Sequence, residues 1–217
     1  MNLDRAQQSP AGPAASVPVA AAAATTAATT AAATAATTAA TVSSVDPGLV
    51  VRRARTADVR SITRLVSGYA RERILLGKET VTYYEDVQEF QVAQVADGQP
   101  DAGRIVGCGA LHVMWQDLAE VRTLAADPTW RHRRVGHHLL EALLQQAQDL
   151  GVSKVFCLTF EVDFFARHGF EPIEGTHLDP EVYAELLRSA DEGVAEFLDL
   201  ARVKQNTLGN TRMLREL

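Results

Sequence analysis

The chain is short of cysteine, of positive charge and of strongly hydrophobic runs, and each shortage removes a class of protein. Its two cysteines, Cys108 and Cys157, sit in apolar runs with no second Cys or His at ligand spacing. That argues against a disulfide framework and a thiolate metal site, and fits buried reduced thiols of a cytoplasmic protein. Against 27 Asp and Glu stand only 21 Lys and Arg, a formal net charge of −6. Such a chain lacks the broad basic face that neutralises nucleic-acid phosphates, so no nucleic-acid partner is expected. The longest uncharged stretch, Ala6 to Val45, contains a run, Ala20–Thr41, made only of Ala and Thr. These residues are too weakly hydrophobic to insert into a bilayer, so no membrane association is expected. The opening MNLDRAQQSP is nearly charge-balanced and no leucine-rich block follows it, which disfavours a signal peptide. Without aromatics to bury, this segment cannot offset its ordering entropy. Residues 1–47 are therefore expected to be a disordered Ala/Thr-rich tail, and 48–217 a single folded domain.

From Gly48 onward the pattern changes. LVVRRA reads as a first strand, and Thr56 as the N-cap of a helix with Val59, Ile62, Leu65, Val66 and Tyr69 at helical spacing. LLGKETVTYYEDV holds a loop and a second short helix. A hairpin follows, with strands Phe90–Val95 and Arg104–Trp115 around a polar Gly/Pro turn. DLAEVRTLAADP is another strand, stopped at Asp127-Pro128. A helix with a stripe of Leu139, Leu140, Leu143, Leu144, Ala147 and Leu150 ends at Gly151. VSKVFCLTF is a strand buried on both faces, DFFARHGF a short helix broken at Gly169, and FEPIEG a further strand. A helix over Pro180–Ser189, an apolar GVAEFLDLA segment and a strand-like TRMLREL close the chain. The class is α/β or α+β, with a mixed twisted sheet flanked by helices.

One feature stands against the acidic background: TWRHRRVGHHLL gathers Arg131, His132, Arg133 and Arg134 just before a glycine and an apolar helix. The first turn of a helix offers unpaired N–H groups and the positive end of a dipole. At Gly136 no Cβ blocks close approach, and Arg131, Arg133 and Arg134 add full charges. The amides at Val135 and Gly136 thus suit a pyrophosphate, and His137 and His138 flank the loop. The histidines His112, His132, His137, His138 and His168 show no paired spacing for a metal, and none is expected.

WRHRRVGHHLL after VRTLAADP resembles the acetyl-CoA signature of the GCN5-related N-acetyltransferases, Q/R-x-x-G-x-G/A, with Arg131 first and Gly136 last. Arg134 stands where the middle glycine usually is. DFFARHGF resembles the later F-Y-x-x-x-G-F element through Phe164, Gly169 and Phe170, with Phe165 in place of the tyrosine. The likeness covers about Val50 to Pro172. Within the family, VGCGALHV, AEVRTLAADP and the NTLGNTRML tail are similar to the short single-domain amino-acid N-acetyltransferases of the N-acetylglutamate-synthase type, without an amino-acid-kinase domain.

The resemblance implies a single acyl-CoA N-acyltransferase domain that moves acetyl from acetyl-CoA, as co-substrate, to the α-amino group of glutamate or glutamine. That reaction is the first step of arginine biosynthesis. The resemblance leaves a homodimer open. It makes Glu120 the candidate base, and the backbone of Leu124, Ala125 and Ala126 the partner of the pantetheine arm, with the Leu124 N–H polarising the carbonyl. Strand alternation places Glu120, Arg122, Leu124 and Ala126 on one face, Glu120 and Arg122 about 7 Å apart. Arg122 then forks onto the acceptor's α-carboxylate, and Lys78 and Arg212 are candidates for a second carboxylate. Thr159 is the candidate donor to the departing sulfur. Two rivals stay open: acetylation of a peptide amine or polyamine, and a non-catalytic acyl-CoA-binding sensor.

Overall fold

In a computed structural model the apolar runs become one mixed sheet; it describes residues 48–217 except 73, 76, 177, 199 and 201–209. The tail expected over residues 1–47 lies outside the described residues, as does most of the NTLGN stretch. In chain order the elements are β1 (Leu49–Arg53), α1 (Val59–Arg71), α2 (Thr80–Glu85), β2 (Phe90–Val95), β3 (Ile105–Trp115) and β4 (Leu118–Ala126). Then come α3 (Val135–Asp149), β5 (Lys154–Thr159), α4 (Val162–Ala166), β6 (Glu171–Pro172), α5 (Pro180–Leu186), α6 (Glu192–Phe197) and β7 (Thr211–Glu216). The sheet order is β1-β2-β3-β4-β5-β7-β6. Among the described strands only β4 and β5 run parallel, and the crossover between them is α3.

Helices cover both faces. Val59, Ile62 and Val66 of α1 and Tyr83 of α2 pack on Phe90, Val92, Cys108, Ala110 and Ala125. Against the other face lies α3, its Leu139, Leu140, Leu143, Leu144 and Ala147 buried as the stripe required. Leu150 departs from that stripe and is 54% exposed, because the helix ends there in a glycine cap. Gly151 takes φ 81°, and the Gly151 and Val152 amides return to Gln148 and Ala147 carbonyls. The seat of α3 depends on two glycines of β3. A Cβ on Gly107 would lie 2.5 Å from Val135 and 2.9 Å from Leu139, and one on Gly109 2.9 Å from Leu124 and 3.0 Å from Leu143. Bare backbone there lets the start of α3 approach the sheet.

Two local readings change. Thr56 does not cap α1: a 3-10 turn, Thr56–Asp58, precedes the helix. Asp58 stands at the N-cap of α1 without a side-chain cap; its carboxylate reaches back to the Arg55 amide at 2.8 Å and accepts the Arg52 guanidinium at 2.7 and 3.0 Å, which ties the 3-10 turn to β1. The FEPIEG strand shrinks to Glu171–Pro172 at the sheet edge, where proline cannot extend a ladder. Among the described residues no helix is long and apolar enough to cross a membrane.

Candidate active site

The basic loop folds as a 3-10 segment, Pro128–Arg133, begun by Asp127, whose carboxylate accepts the Thr129 amide at 2.9 Å and hydroxyl at 2.7 Å. Arg131, His132, Arg133 and Arg134 are all exposed around it, and Arg133 lies 5.2 Å over the Trp130 ring. Arg134 then adopts the left-handed conformation, φ 53° and ψ 27°, and α3 starts at Val135. This is the place the family pattern gives to glycine, and the dihedral explains why. A side chain there costs about 1–2 kcal/mol, which glycine avoids. The special backbone therefore falls on Arg134, not Gly136, beside which the Phe164 ring makes ordinary contact, 3.6 Å from where a Cβ would stand. No side chain caps the first turn of α3 and no acid lies in it. The amides of Val135, Gly136 and His137 belong to the first turn, where a helix leaves N–H groups without intrahelical partners, and with the exposed arginines just before them this start is suited to an anion.

Beside this loop, β4 is bent. Its register on β3 runs His112↔Glu120, Leu111↔Val121 and Ala110↔Arg122, then jumps to Cys108↔Ala125. Thr123, with φ 59°, is the extra residue of a bulge. The bulge reverses the alternation. Leu124 turns toward α3 and its Leu143, and Ala125 joins the α1 side. Leu124 and Ala126 consequently do not share the face of Glu120 and Arg122, because strict alternation ends at Thr123. The far edge of β4 is also open. It pairs with β5 only through Leu118–Glu120 against Lys154–Phe156, and from there the two strands part. Such an edge accepts an extended chain by backbone pairing.

Where the strands part, charged residues converge. Glu120 is 5% exposed, and its Oε2 has no hydrogen-bond partner. Burial pushes this carboxyl up to about 7, with Arg122 pulling the other way from 4.0 Å. Arg122 itself gives Nη2 to Glu89 at 2.9 Å and Nη1 to Asp191 at 3.0 Å, with Asp86 at 3.8 Å. Burial works against its charge, but Glu89, Glu120 and Asp191 hold the proton on. His112, opposite Glu120 across the ladder, puts Nδ1 2.7 Å from Glu89 and Nε2 3.8 Å from Asp191. For both Glu89 and Asp191 burial alone would raise the carboxyl, yet Arg122 and His112 hold it below its usual range. Gly193, in the first turn of α6, closes over the group: a Cβ there would stand 2.7 Å from Glu120 Oε2.

A family model described as acetyltransferase (GNAT) family matches residues 67–170. An amino-acid acetyltransferase of Mycobacterium tuberculosis (strain ATCC 25618 / H37Rv) is 58% identical over 166 residues, 76% of this chain and 92% of that protein. The chain belongs to the GNAT family, and it is an acetyltransferase. Among solved GNAT structures, Rv2747 from M. tuberculosis in complex with CoA and NLQ matches with a TM-score of 0.73 and 57% identity, over 77% of this chain and 99% of that one. The N-acetylglutamate synthase of Neisseria gonorrhoeae, complexed with coenzyme A and N-acetyl-glutamate, matches with a TM-score of 0.61. At 21% identity, over 79% of this chain and 36% of that one, it shows the shared GNAT fold alone.

The remaining site residues of this GNAT chain take distinct places. Thr159, 7% exposed at the end of β5, accepts the Glu161 amide at 2.9 Å and keeps its own proton to donate. Phe165 is buried in T-shaped contact with Phe170, so no hydroxyl stands where the family pattern carries tyrosine. Lys78 lies 3.4 Å from Asp86, at the rim of the Arg122 cluster. Arg212, on β7 opposite Leu158, donates to the Glu196 carbonyl of α6 at 2.9 Å. The structure thus sets Glu120 beside Arg122, links Arg122 to Lys78 through Asp86, and ties Arg212 to α6, whose Gly193 lies over Glu120. It also brings His137, His138 and Glu141 within 4.8 Å of one another, a spacing that histidine pairs alone do not reveal.

Glu89, Asp191 and Gly193 were missed in the sequence, since they lie far from Glu120 along the chain. His112 was missed as well, for a different reason. The two-residue turn Gln116–Asp117 pairs Trp115 with Leu118, and a register shift between Val113 and Trp115 then brings His112, in place of Val113, opposite Glu120.

Proposed function

We propose that this GNAT chain is an amino-acid N-acetyltransferase of the N-acetylglutamate-synthase type. It transfers acetyl from acetyl-CoA to the α-amino group of L-glutamate or L-glutamine, as the first step of arginine biosynthesis in the cytoplasm. Residues 48–217 carry the activity, as a monomer or homodimer, and residues 1–47 form a tail. The observation that carries this reading is the 58% identity to an amino-acid acetyltransferase over 92% of that protein. Three local features are compatible with it: the start of α3 has no side-chain cap, β4 pairs with β5 only as far as Glu120, and the Glu120 carboxyl is buried.

The steps follow from the residues. The diphosphate of acetyl-CoA lies on the amides of Val135, Gly136 and His137, among Arg131, His132, Arg133 and Arg134. Its pantetheine arm runs along Leu124–Ala126 as an added strand, with the thioester oxygen on the Leu124 amide. An α-ammonium must shed a proton before it can attack. Glu120, with its carboxyl near 7, takes that proton directly or through a water. The amine nitrogen forms a bond to the acetyl carbon, the tetrahedral intermediate collapses and the carbon–sulfur bond breaks, while the second proton that the nitrogen sheds passes to the departing sulfur or to water. The thiolate leaves with little help, given its modest basicity, and Thr159 donates a hydrogen bond to it. Arg122 receives the acceptor's α-carboxylate by exchange with Asp191, and Lys78 and Arg212 serve the side chain.

A second reading has one observation in its favour. Arg122 and Lys78 already face the carboxylates of Glu89, Asp191 and Asp86, and an acidic cleft suits a polyamine or peptide amine. A thiol-release assay with acetyl-CoA across the free amino acids and polyamines separates the readings. Turnover with glutamate or glutamine supports the first. Turnover confined to polyamines or peptides supports the second, and CoA binding without turnover makes the chain a sensor.

A further inference from the structure

Arg134 is an anomaly twice over: a bulky residue in a left-handed conformation, at the place where the loop pattern has glycine. Its side chain is not loose. Nη2 lies 2.6 Å from His137 Nε2, His137 Nδ1 lies 2.7 Å from His168 Nε2, and His168 Nδ1 lies 2.7 Å from the Phe164 carbonyl oxygen. The chemistry allows one direction through this chain. A guanidinium only donates, so His137 Nε2 must accept and carries no proton. His137 is then the Nδ1–H tautomer and donates to His168 Nε2. His168 in turn donates from Nδ1 to the carbonyl. The end of the chain closes on the loop itself, since the Phe164 ring packs on Gly136 and its centroid lies 4.6 Å from that of His168.

We propose that His137 and His168 are positioning residues for the cofactor loop: through this relay they hold Arg134 in its left-handed state, replacing the glycine that would adopt it unaided. The inference rests on the reading that this loop takes the diphosphate of acetyl-CoA. Neither imidazole need touch the cofactor, since both act through Arg134 and the first turn of α3.

The relay also has an alternative state. Arg134, His138, Glu141 and His168 face His137, and Glu141 Oε1 is 3.2 Å from the same Nε2 that accepts from Arg134. Protonated at both nitrogens, His137 can no longer accept from Arg134, repels it, and donates to Glu141 instead. Burial first, then Arg134, His168 and His138, lower its affinity for a proton against the pull of Glu141, so the neutral relay is the state near neutral pH.

The test is isothermal titration of full-length protein with acetyl-CoA at pH 7.5 and 5.5, alongside KM and kcat. Wild type must first bind; if it does not, the loop reading itself fails, whatever the histidines do. Given binding, His137→Ala weakens acetyl-CoA by about ten-fold, the scale of one lost hydrogen bond to a charged group, and raises its KM far more than it lowers kcat. His137→Gln, whose amide oxygen can accept from Arg134 and cannot titrate, restores affinity and removes the extra weakening of wild type at pH 5.5. In the Arg134→Gly background, His137→Ala costs nothing further. Equal losses in the two backgrounds, or unchanged affinity in His137→Ala, would overturn the proposal. Unfolding of His137→Ala would be visible in its melting curve, and the His137→Gln comparison then decides alone.

Discussion

At the scale of single residues, the account turns on Glu120 and its counter-charge. Glu120 releases its proton near 7 in the fold, whereas an unperturbed glutamate does so at 4.5. Between those values the native state holds the extra proton, so this group's contribution to stability falls as pH rises through the window. Glu120→Gln should therefore melt several degrees above wild type at pH 8 and close to it at pH 5, by scanning calorimetry. The same variant should lose activity at least a hundred-fold, and the kcat/KM of wild type should rise as pH passes about 7. A variant equally active at pH 8 would remove Glu120 from the chemistry. Arg122→Ala should raise the acceptor KM at least ten-fold while moving the acetyl-CoA KM much less. If both constants rise alike, Arg122 serves the fold, as its bonds to Glu89 and Asp191 alone would suggest.

At the scale of elements, β3, β4 and α3 set the site. Gly107 and Gly109 let α3 settle on β3, which fixes where its first turn points. Gly107→Ala should cost about 1–3 kcal/mol in denaturant unfolding, since a Cβ at 2.5 Å from Val135 must displace the start of the helix. It should weaken acetyl-CoA in step; a variant as stable as wild type would show that the helix has room to give. Much at this scale was legible. Helical spacing marked α1 and α3, and the basic knot before Gly136 marked a helix start suited to an anion. The bulge at Thr123 was not legible, because a threonine with positive φ breaks the residue preferences that mark such sites. Counting alternate residues through it put Leu124 on the wrong face.

At the scale of the molecule, the family resemblance seen in the loop and in DFFARHGF agrees with the comparisons, and the mixed sheet with β4 splayed from β5 agrees with the order of elements. Less of the acceptor side could be read, for a physical reason. Its acids come from the turn before β2 and the N-cap of α6, brought together by tertiary packing that no local pattern encodes. The result is a cluster whose cations are largely matched by fixed carboxylates, with which, on the proposed function, the acceptor's charges would compete. The central claim nevertheless concerns the other substrate, held between the start of α3 and the open edge of β4. A crystal of the full chain grown with CoA tests it most directly. The account predicts the diphosphate within hydrogen-bonding distance of the Val135 and Gly136 amides, and the pantetheine arm along Leu124–Ala126. Ordered CoA bound elsewhere, with that helix start left to solvent, would contradict it.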